Sequence, residues 1–439
     1  MKNIHSRRNF IKKTAVLGAT VAMGSTLVYL NSGQAEISRP INNLLPDPNG
    51  ICDLPKGFTY RVISTYEDIM NDGLSVPGAL DGMACFNNPA GGMILVRNHE
   101  IARYLFSNPK SPVPAMAYDT EAAGGTTTIW LNDQLEVTNQ YLSLTGTIMN
   151  CCGGKTPWNT WISSEEATPG FPGGTWSLGK RHGYNFEVDP FSPIQKAEPL
   201  KAMGRFKHEA VAIDPETGIA YQTEDQMLGC FYRFIPNSPG HLAEGGVLQA
   251  LKFKDMGIKH TTQDALVAQK SYPCEWVNID EPDPEEDSVR LQAKEKGAAV
   301  FVRGEGIIAA TDGIYFACTA GGAMGKGQIF KLIPGVAGES DHIQLVFEAN
   351  TPGVLEKPDN ITVSNWGDLI ICEDNGLSKQ CLVGLTPKGQ VYYIASNTQA
   401  EWAGVCFSPD GRTLFANIHE DPGMTLAIQG PWETLRTNL

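Results

Sequence analysis

Short apolar runs separated by tight polar turns recur along the chain. The pattern of apolar run, turn and apolar run occupies 210–223, 307–317, 361–371 and 405–415, and less regularly 83–96 and 153–163. The turns contain Asp, Asn, Pro and Gly, which suit the backbone geometry of a tight reversal. Each unit is therefore predicted to be a β-hairpin.

Six such units, unevenly spaced and without helical periodicity, predict an all-β protein. We expect a six-bladed β-propeller with irregular insertions between blades, formed by one domain over residues 36–439. The insertions lie near 100–125, 167–200 and 236–300, and the acidic stretch 280–287 within the last is expected to be an exposed loop. A β-sandwich or two small β-domains is the alternative.

Polar residues gather at equivalent ends of the hairpins. Asp81, Cys151, Glu209, Glu305, Asp359 and Glu401 stand just before a first strand, and Asn98, Glu100, Glu165, Glu166, Glu224, Asp225, Thr319, Glu373, Asp374, Asn417 and His419 stand just after a second. The start of one strand of a hairpin lies beside the end of the next. In a propeller these ends face one mouth of the axial channel, so the acids are expected to converge there.

Converging carboxylates need cations, because several of them cannot all stay ionised close together. Oxygen ligands favour calcium or an iron-type ion. The alternative is that the acids only cap turns in solvent.

Three further residues suggest more specific chemistry. A Cys151 thiolate among carboxylates would prefer a softer metal such as iron, although a buried inert thiol is an equal alternative. Arg303, next to Glu305, offers a planar fork suited to phosphate oxygens, and Lys357 has a similar acidic neighbourhood. A surface salt bridge is the other reading of both cations. Arg303, Glu305 and Lys357 are the candidate catalytic residues.

Composition excludes one large class of partner. The chain has 34 Lys and Arg against 48 Asp and Glu, and five of the basic residues lie in the first 35 positions, which leaves 29 against 48, or −19, for the remainder. Such a balance disfavours nucleic-acid binding, which requires a basic surface. Most of the ten cysteines sit in apolar runs and are interpreted as small buried side chains, with Cys151 as the exception.

The N-terminus has the features of an export signal. Arg7 and Arg8 precede an apolar stretch from about Ala15 to Leu30, and Gly33 to Ala35 offers small residues for cleavage. This predicts a twin-arginine signal peptide over residues 1–35, with an uncleaved signal anchor as the alternative. The twin-arginine machinery is then a partner, the destination is periplasmic or extracellular, and no membrane span is expected after signal removal.

Several motifs together resemble the PhoX family of secreted, calcium-dependent alkaline phosphatases. The matching stretches are 95–100, 150–166, 204–210, 303–306, 357–360, 401–411 and 430–432, in order along nearly the whole mature chain. The sequence departs from the family pattern at Cys152 and Gly304, where alanine is expected, and at Ser164, where cysteine is expected.

The resemblance implies a six-bladed propeller that hydrolyses phosphomonoesters with two ferric ions, three calcium ions and a bridging oxo group. By position, it implies that Cys151 is an iron-bound thiolate and that Arg303 contacts phosphate. The implied metal ligands are Cys151, Glu209, Asp225, Glu305 and Glu401, with Asn98, Glu100, Glu165, Glu166 and Asp374 in the acidic mouth.

We therefore expect an exported alkaline phosphatase that acts on a small organophosphate and is a monomer. One alternative is a calcium-dependent propeller hydrolase of lactones or phosphotriesters. Another is a non-catalytic binding propeller in which metals are only structural.

Overall fold

The structure is a computed structural model. It describes residues 43–436 except 103–108, 170–177, 265, 336–338, 377–378, 399 and 421. The predicted signal peptide over residues 1–35 lies outside the described residues. Within the described ranges, no helix combines the length and the apolar character required to cross a membrane.

The described chain is built almost entirely from strands. The first half contains β1 (Leu44–Leu45), β2 (Leu54–Pro55), β3 (Thr59–Thr65), β4 (Leu80–Asn87), β5 (Met93–His99), β6 (Gly124–Leu131), β7 (Val137–Thr147), β8 (Asn150–Lys155), β9 (Trp161–Glu165), β10 (Asn185–Val188), β11 (His208–Ile213), β12 (Ala220–Glu224) and β13 (Phe231–Pro236). The second half contains β14 (Gly246–Phe253), β15 (Ser271–Asn278), β16 (Gly304–Ala310), β17 (Gly313–Cys318), β18 (Gln328–Ile333), β19 (Asp341–Glu348), β20 (Pro358–Val363), β21 (Leu369–Glu373), β22 (Gln380–Leu385), β23 (Val391–Asn397), β24 (Trp402–Phe407), β25 (Thr413–Ile418) and β26 (Met424–Gln429).

Among the described residues, helices are few and short. They are one α-helix, α1 (Val289–Glu295), and 3₁₀ turns at Lys201–Met203, Leu242–Glu244 and Trp432–Arg436. All six hairpins expected from the sequence are present, as β4–β5, β8–β9, β11–β12, β16–β17, β20–β21 and β24–β25. The segment 236–300, expected to be an insertion, instead contributes two strands, β14 and β15, as well as α1.

The strands form antiparallel sheets in a propeller-like arrangement. Three sheets have four strands, ordered β4–β5–β6–β7, β20–β21–β22–β23 and β24–β25–β26–β3, and one has three, ordered β10–β9–β8. A nine-stranded sheet runs β11–β12–β13–β14–β15–β19–β18–β17–β16, and β1 pairs with β2. The pairing of β3 with β26 joins the two ends of the described chain in one sheet.

The strand that opens each hairpin lies at the centre of the molecule. In chain order β4, β8, β11, β16, β20 and β24 contact one another in sequence, and β24 contacts β4 again. The ring brings the N-terminal ends of these six strands together. It therefore has the geometry that the acids at the strand ends need in order to meet.

Apolar side chains fill the spaces between neighbouring sheets. Phe231 of β13 stacks on Phe316 of β17 with ring centroids 4.2 Å apart, and Phe316 stacks on Phe330 of β18 at 5.4 Å. All three rings are buried, and each contributes about 1.5–3 kcal/mol to the free energy of unfolding through the hydrophobic effect. All ten cysteines are buried and unpaired. Nine of them pack within apolar clusters, as expected of small core side chains, whereas Cys151 lies beside the Asp81 carboxylate.

Candidate metal centre and active site

A β-bulge interrupts each central strand where it enters the ring. The register shifts fall after Leu80, Asn150, His208, Gly304, Pro358 and Ala403. In five of the six strands the residue directly after the shift is a potential metal ligand, namely Asp81, Cys151, Glu209, Glu305 or Asp359. A bulge changes the direction of the side chain that it contains. Five ligand-type side chains are thus redirected by the same local device.

The sixth central strand has glycine at the equivalent place. Gly404 has φ +60°, and a Cβ at this position would collide with the backbone oxygen of Asp81. Asn417 fills the remaining space and donates a hydrogen bond from Nδ2 to the same oxygen, at 2.6 Å. At the level of the bulges, β24 therefore packs against β4 and provides no ligand-type side chain. The acid at this strand end, Glu401, lies one residue before β24.

Five side chains form what we call the Glu209 cluster: Cys151, Glu166, Glu209, Glu305 and Asp359. Ligand atoms of Cys151, Glu166 and Glu209 all lie within 4.8 Å of one another, and so do those of Glu209, Glu305 and Asp359. Glu209 belongs to both groups and is 1% exposed. The predicted convergence of acids therefore takes place here.

The Glu209 carboxylate has no compensating partner among the described residues. Both of its oxygens are buried without a hydrogen bond. Burial, together with the charges of Asp359 and Glu166, raises the pKa of Glu209 well above its ordinary value. Burial and Asp225 do the same to the pKa of Glu305. Buried carboxylates in this state fit bound cations, and carboxylates beside a thiol suit a mixture of hard and softer ions.

Arg303 lies at the edge of this cluster. Its Nε and Nη2 donate to the two oxygens of Asp225 at 2.7 and 2.8 Å, and Nη2 lies 3.0 Å from Glu305 Oε1. Burial alone would raise the pKa of Asp225, but the paired guanidinium holds it below its ordinary value. The backbone at Arg303 is left-handed, with φ +53°. This conformation is uncommon for a residue other than glycine and costs about 1–2 kcal/mol, so the position of the guanidinium is maintained against strain.

Lys357 occupies the equivalent position before β20 and also has a left-handed backbone, with φ +54°. Its Nζ donates to Gly325 O at 2.8 Å, in the glycine-rich segment between β17 and β18. Its carbonyl accepts a hydrogen bond from the backbone N–H of Asp374, a half-buried acid. Burial, and then the charges of Arg303 and Lys326, lowers the pKa of Lys357. The two predicted cationic catalytic residues are therefore electrostatic neighbours.

The two adjacent cysteines point to different surroundings. Cys151 Sγ lies 3.6 Å from Asp81 Oδ2 and belongs to the Glu209 cluster. Cys152 Sγ instead accepts a hydrogen bond from Asn360 Nδ2 at 2.7 Å and packs among apolar side chains. Burial raises the pKa of both thiols well above the ordinary value, so only a bound cation would favour the thiolate of Cys151.

Two predicted ligands are engaged elsewhere. Asn98 donates through Nδ2 to the carbonyls of Cys151 and Cys152, while its Oδ1 accepts from Trp161 and Ser163. Glu165 accepts from the backbone N–H groups of residues 148, 183 and 184 and lies 2.6 Å from His182 Nδ1. The structure does not bring either side chain into the Glu209 cluster.

A second group, which we call the His419 cluster, comprises Asp81, Glu100 and His419. One ligand atom from each lies within 4.8 Å of the other two. The predicted ligand Glu401 adjoins it, with Oε1 3.6 Å from His419 Nδ1. Asp81, Asp359 and His419 were not among the ligands selected from the sequence. Their positions at strand ends, the same as those of the selected acids, were the available signal.

The chain is similar to a known protein family and to solved structures. A family model described as Alkaline phosphatase PhoX matches residues 40–138 and 130–423. The solved structure of Pseudomonas fluorescens PhoX in complex with vanadate, a transition state analogue, is similar with a TM-score of 0.68 and 18% identity, over 87% of this chain and 96% of that one. A gluconolactonase from Xanthomonas campestris gives a TM-score of 0.45 and 10% identity, over 90% and 99% of the respective chains.

A comparison with curated protein sequences found no match. The family model nevertheless covers most of the chain in two overlapping segments, and both contain residues of the clusters described above. The chain belongs to the alkaline phosphatase PhoX family and is a hydrolase of phosphoric monoesters.

Proposed function

We propose that this protein is an exported alkaline phosphatase that releases phosphate from small organic phosphomonoesters by means of an iron and calcium centre. The observation that carries the proposal is the buried Glu209 carboxylate, whose two oxygens lack partners within the described chain while a thiol and three further acids face it. A cation-free cluster of this kind would be costly to bury.

The ligands of the centre are proposed to be the members of the Glu209 cluster. Cys151 would bind iron, because a thiolate prefers a softer ion than calcium, and the carboxylates would bind calcium as well as iron. Asp225 and Glu401 adjoin the clusters through Arg303 and His419, and Glu100 belongs to the His419 cluster. When bound, the cations would supply Lewis-acid stabilisation of the negative charge on the phosphoryl group.

Arg303 is proposed to bind and orient the phosphate. Asp225 and Glu305 occupy Nε and Nη2, while Nη1 makes no hydrogen bond to the described residues. Two acids thus hold the Arg303 guanidinium from one side, and Nη1 remains available to donate to a phosphate oxygen. Because the guanidinium is positioned before substrate arrives, it can stabilise developing charge without reorganisation. Lys357 would add positive charge nearby, and Glu305 would hold Arg303 in place.

We also propose that the ring is a six-bladed propeller. The nine-stranded sheet then comprises two blades, β11–β14 and β16–β19, connected at their outer edges by β15. Two observations support this division. Each half begins with a bulged central strand, and β11 and β16 contact each other within the ring. Residues 36–439 would form this single domain, acting as a monomer.

Export is proposed from the twin arginines and apolar stretch of residues 1–35. The twin-arginine route carries folded proteins, so it would allow the metal centre to assemble before the protein crosses the membrane. The mature enzyme would then act in the periplasm or outside the cell.

The test is elemental analysis of protein purified from an exporting host, paired with hydrolysis of p-nitrophenyl phosphate. Iron and calcium together with hydrolysis are expected. Removal of metals by chelator should abolish hydrolysis, and added calcium should restore part of it. Calcium alone without phosphatase activity would instead favour a lactone or phosphotriester hydrolase, and full activity in excess chelator contradicts the proposal.

The neighbouring cysteines provide a matched pair for the iron ligand. We expect Cys151→Ser to lose iron, because its thiol belongs to the Glu209 cluster, and Cys152→Ser to retain it, because its thiol faces Asn360. Iron per chain is measured by plasma mass spectrometry. Equal iron content in the two variants would refute the assignment.

A further inference from the structure

The loop between β12 and β13 presents two apolar side chains to solvent. It contains a turn that closes with a hydrogen bond from Gly229 N–H to Gln226 O at 3.0 Å. Met227 and Leu228 are the central residues of this turn, and they are 60% and 49% exposed. Turn centres ordinarily carry Gly, Pro, Asn, Asp or Ser. Two large apolar residues at this place are therefore not explained by the turn itself.

The glycine-rich loop between β17 and β18 has the same feature. Its turn closes with a hydrogen bond from Gly325 N–H to Gly322 O at 3.0 Å. Met324 lies within this turn and is 45% exposed. We call Met227, Leu228 and Met324 the apolar rim, because the two turns that carry them lie beside the proposed phosphate site.

Arg303 is hydrogen-bonded through its backbone to both loops. Its N–H donates to Gln226 O at 2.9 Å, and its carbonyl accepts from the N–H of Thr319, the first residue after β17, at 2.9 Å. Its guanidinium pairs with Asp225, which stands two residues before Met227. The first turn therefore adjoins the residue that is proposed to hold phosphate, and the second loop begins there.

Lys357 is held by the second loop, next to its turn. Its Nζ donates to Gly325 O at 2.8 Å, and its backbone N–H donates to the carbonyl of Lys326 at 2.6 Å. Gly325 directly follows Met324 in the chain. The apolar rim therefore lies on the same two loops that fix the two cations of the proposed phosphate site.

This arrangement suits a substrate with one anionic end and one apolar end. A phosphomonoester joins its phosphate to its organic group through a single oxygen, so an organic group whose phosphate is bound at Arg303 lies close to the residues around that cation. Contact with the rim removes apolar surface of the organic group from water, which is favourable. A polyol placed there would lose hydration without gaining hydrogen bonds from Met or Leu side chains.

We infer that the apolar rim contacts the organic part of the substrate, and that the enzyme prefers phosphomonoesters of apolar alkyl or aryl alcohols to those of polyols. The inference rests on the proposed function, because it requires phosphate to bind at Arg303, and it adds the substrate class. Methionine side chains adapt to groups of different shape. The rim therefore selects apolar character rather than one particular alcohol.

The test compares hydrolysis of ethyl phosphate and n-hexyl phosphate by the purified, metal-loaded enzyme. Both esters release a primary alkanol, so a difference in kcat/KM reports contact with the longer chain rather than a difference in the bond that breaks. The wild type is expected to favour n-hexyl phosphate by about 10-fold, because partial burial of a few additional methylenes is worth about that factor. Equal kcat/KM for the two esters overturns the inference.

Polar variants of similar size assign the preference to the rim. The double variant Met227→Gln with Met324→Gln should reduce the hexyl-to-ethyl ratio of kcat/KM to about 2 or less, because the chain then meets amides instead of apolar side chains. Each single variant should show part of this reduction. A merely structural defect would lower both values and leave their ratio as it is. A wild-type ratio in the double variant contradicts the inference.

Val247→Thr is the matched control at an exposed apolar residue away from the rim. Val247 is 45% exposed, but it pairs with Ile235 near the end of β13, whereas the first turn precedes β13. The two sites therefore lie at opposite ends of that strand. This variant should keep the wild-type ratio, and a reduction equal to that of the double variant would show that the rim is not its cause.

These outcomes are distinguishable from failure of the proposed function. A wild type that hydrolyses both esters with equal kcat/KM overturns the inference and leaves the phosphatase proposal intact. A metal-loaded wild type that hydrolyses neither ester, nor p-nitrophenyl phosphate, overturns both. Sedimentation with phosphatidylglycerol vesicles that depends on Met227 and Met324, without any preference between the soluble esters, would assign the rim to a lipid surface and contradict the inference.

Discussion

The Glu209 and His419 clusters are neighbours made of similar acids, but they handle buried charge differently. Asp81 lies between them, because its Oδ2 is 3.6 Å from Cys151 Sγ and 3.6 Å from His419 Nε2. The His419 cluster contains an imidazole, which becomes positively charged when it takes up a proton. The Glu209 cluster contains no imidazole, and Arg303 lies at its edge against Asp225 and Glu305.

This difference predicts how the buried negative charge of each cluster is neutralised when no metal is bound. Burial lowers the pKa of His419, but the polar contact with Glu100 and the charges of Glu401 and Asp81 outweigh it and raise the pKa well above its ordinary value. The metal-free His419 cluster is therefore partly neutralised by an imidazolium. In the Glu209 cluster only protonated carboxyl groups or bound cations can provide the same relief.

The largest expected effect comes from removing the central carboxylate. Glu209→Gln should lose metal and lower kcat/KM for p-nitrophenyl phosphate by about 10³-fold, because the cluster loses the ligand shared by both of its groups. In excess chelator, the same variant should melt at a higher temperature than the wild type, because a buried carboxyl group that is costly to ionise has been removed. Metal content, kinetics and thermal unfolding give the three measurements.

Glu224→Gln is the matched control, because Glu224 pairs with His208, the residue before Glu209. The Glu224 carboxylate is buried too, but it accepts hydrogen bonds from Cys230 N–H and Tyr232 O–H and lies 3.5 Å from Arg290. This variant should keep its metals and be less stable. Equal metal loss in both variants would show that burial alone, rather than the lack of partners, explains the effect.

A smaller effect is expected at the edge of the Glu209 cluster. Arg303→Ala should lower kcat/KM by about 10²-fold while metals are retained, because a charge-stabilising donor is lost but no ligand is. Arg303→Lys should recover little, since an ammonium cannot reproduce the two hydrogen bonds to Asp225. Arg412→Ala, at an exposed arginine, serves as the control. If Arg303→Ala instead loses metal, the residue is structural.

The smallest expected effect is the pH dependence of the free energy of unfolding, and it tests Asp81, the residue between the two clusters. Burial raises the pKa of Asp81 to about 7, although His419 lowers it in part. Between pH 4 and 7 the unfolded chain therefore binds fewer protons than the metal-free folded protein, so the free energy of unfolding should decrease as pH rises. Loss of the His419 proton above this range acts in the same direction.

The measurement is urea unfolding in chelator from about pH 5 to 8. A decrease of about 1 kcal/mol or more is expected for the wild type, with a shallower slope for Asp81→Asn. Metal-loaded protein should show the opposite trend, because metal binding favours deprotonated ligands. Identical slopes for the wild type and Asp81→Asn would count against a raised pKa at this residue.

Much of the architecture could be predicted from local patterns. The turn 214–218 and the turn before Arg412 identified hairpins that are present as β11–β12 and β24–β25. The position of a polar residue just before a predicted strand also identified Glu209, Glu305 and Cys151, which the ring brings together. Strand-end position could not separate them from Asn98 and Glu165, because those two side chains are engaged by hydrogen bonds from other segments of the chain.

The bulges explain why residues at predicted strand ends included members of the Glu209 cluster. A small residue follows the acid in Asp81-Gly82, Glu209-Ala210 and Glu305-Gly306. At Gly82 and Gly306 an added Cβ would lie less than 3.0 Å from backbone atoms of the next central strand. An acid followed by a small residue at the start of a strand is thus a sequence signal of the ring, although only the packed ring gives its meaning.

The sequence by itself determined the strands, the turns, the acidic balance and the motifs of the family, because these depend on neighbouring residues and on residue type. The tertiary structure decided which acids share a buried space, which of two adjacent thiols faces them, and that a histidine joins two acids from another sheet. Those outcomes depend on side-chain direction and on contacts between segments up to more than 300 residues apart, as in the hydrogen bond from Asn417 to Asp81. No local pattern encodes such contacts, because they exist only once the ring has closed.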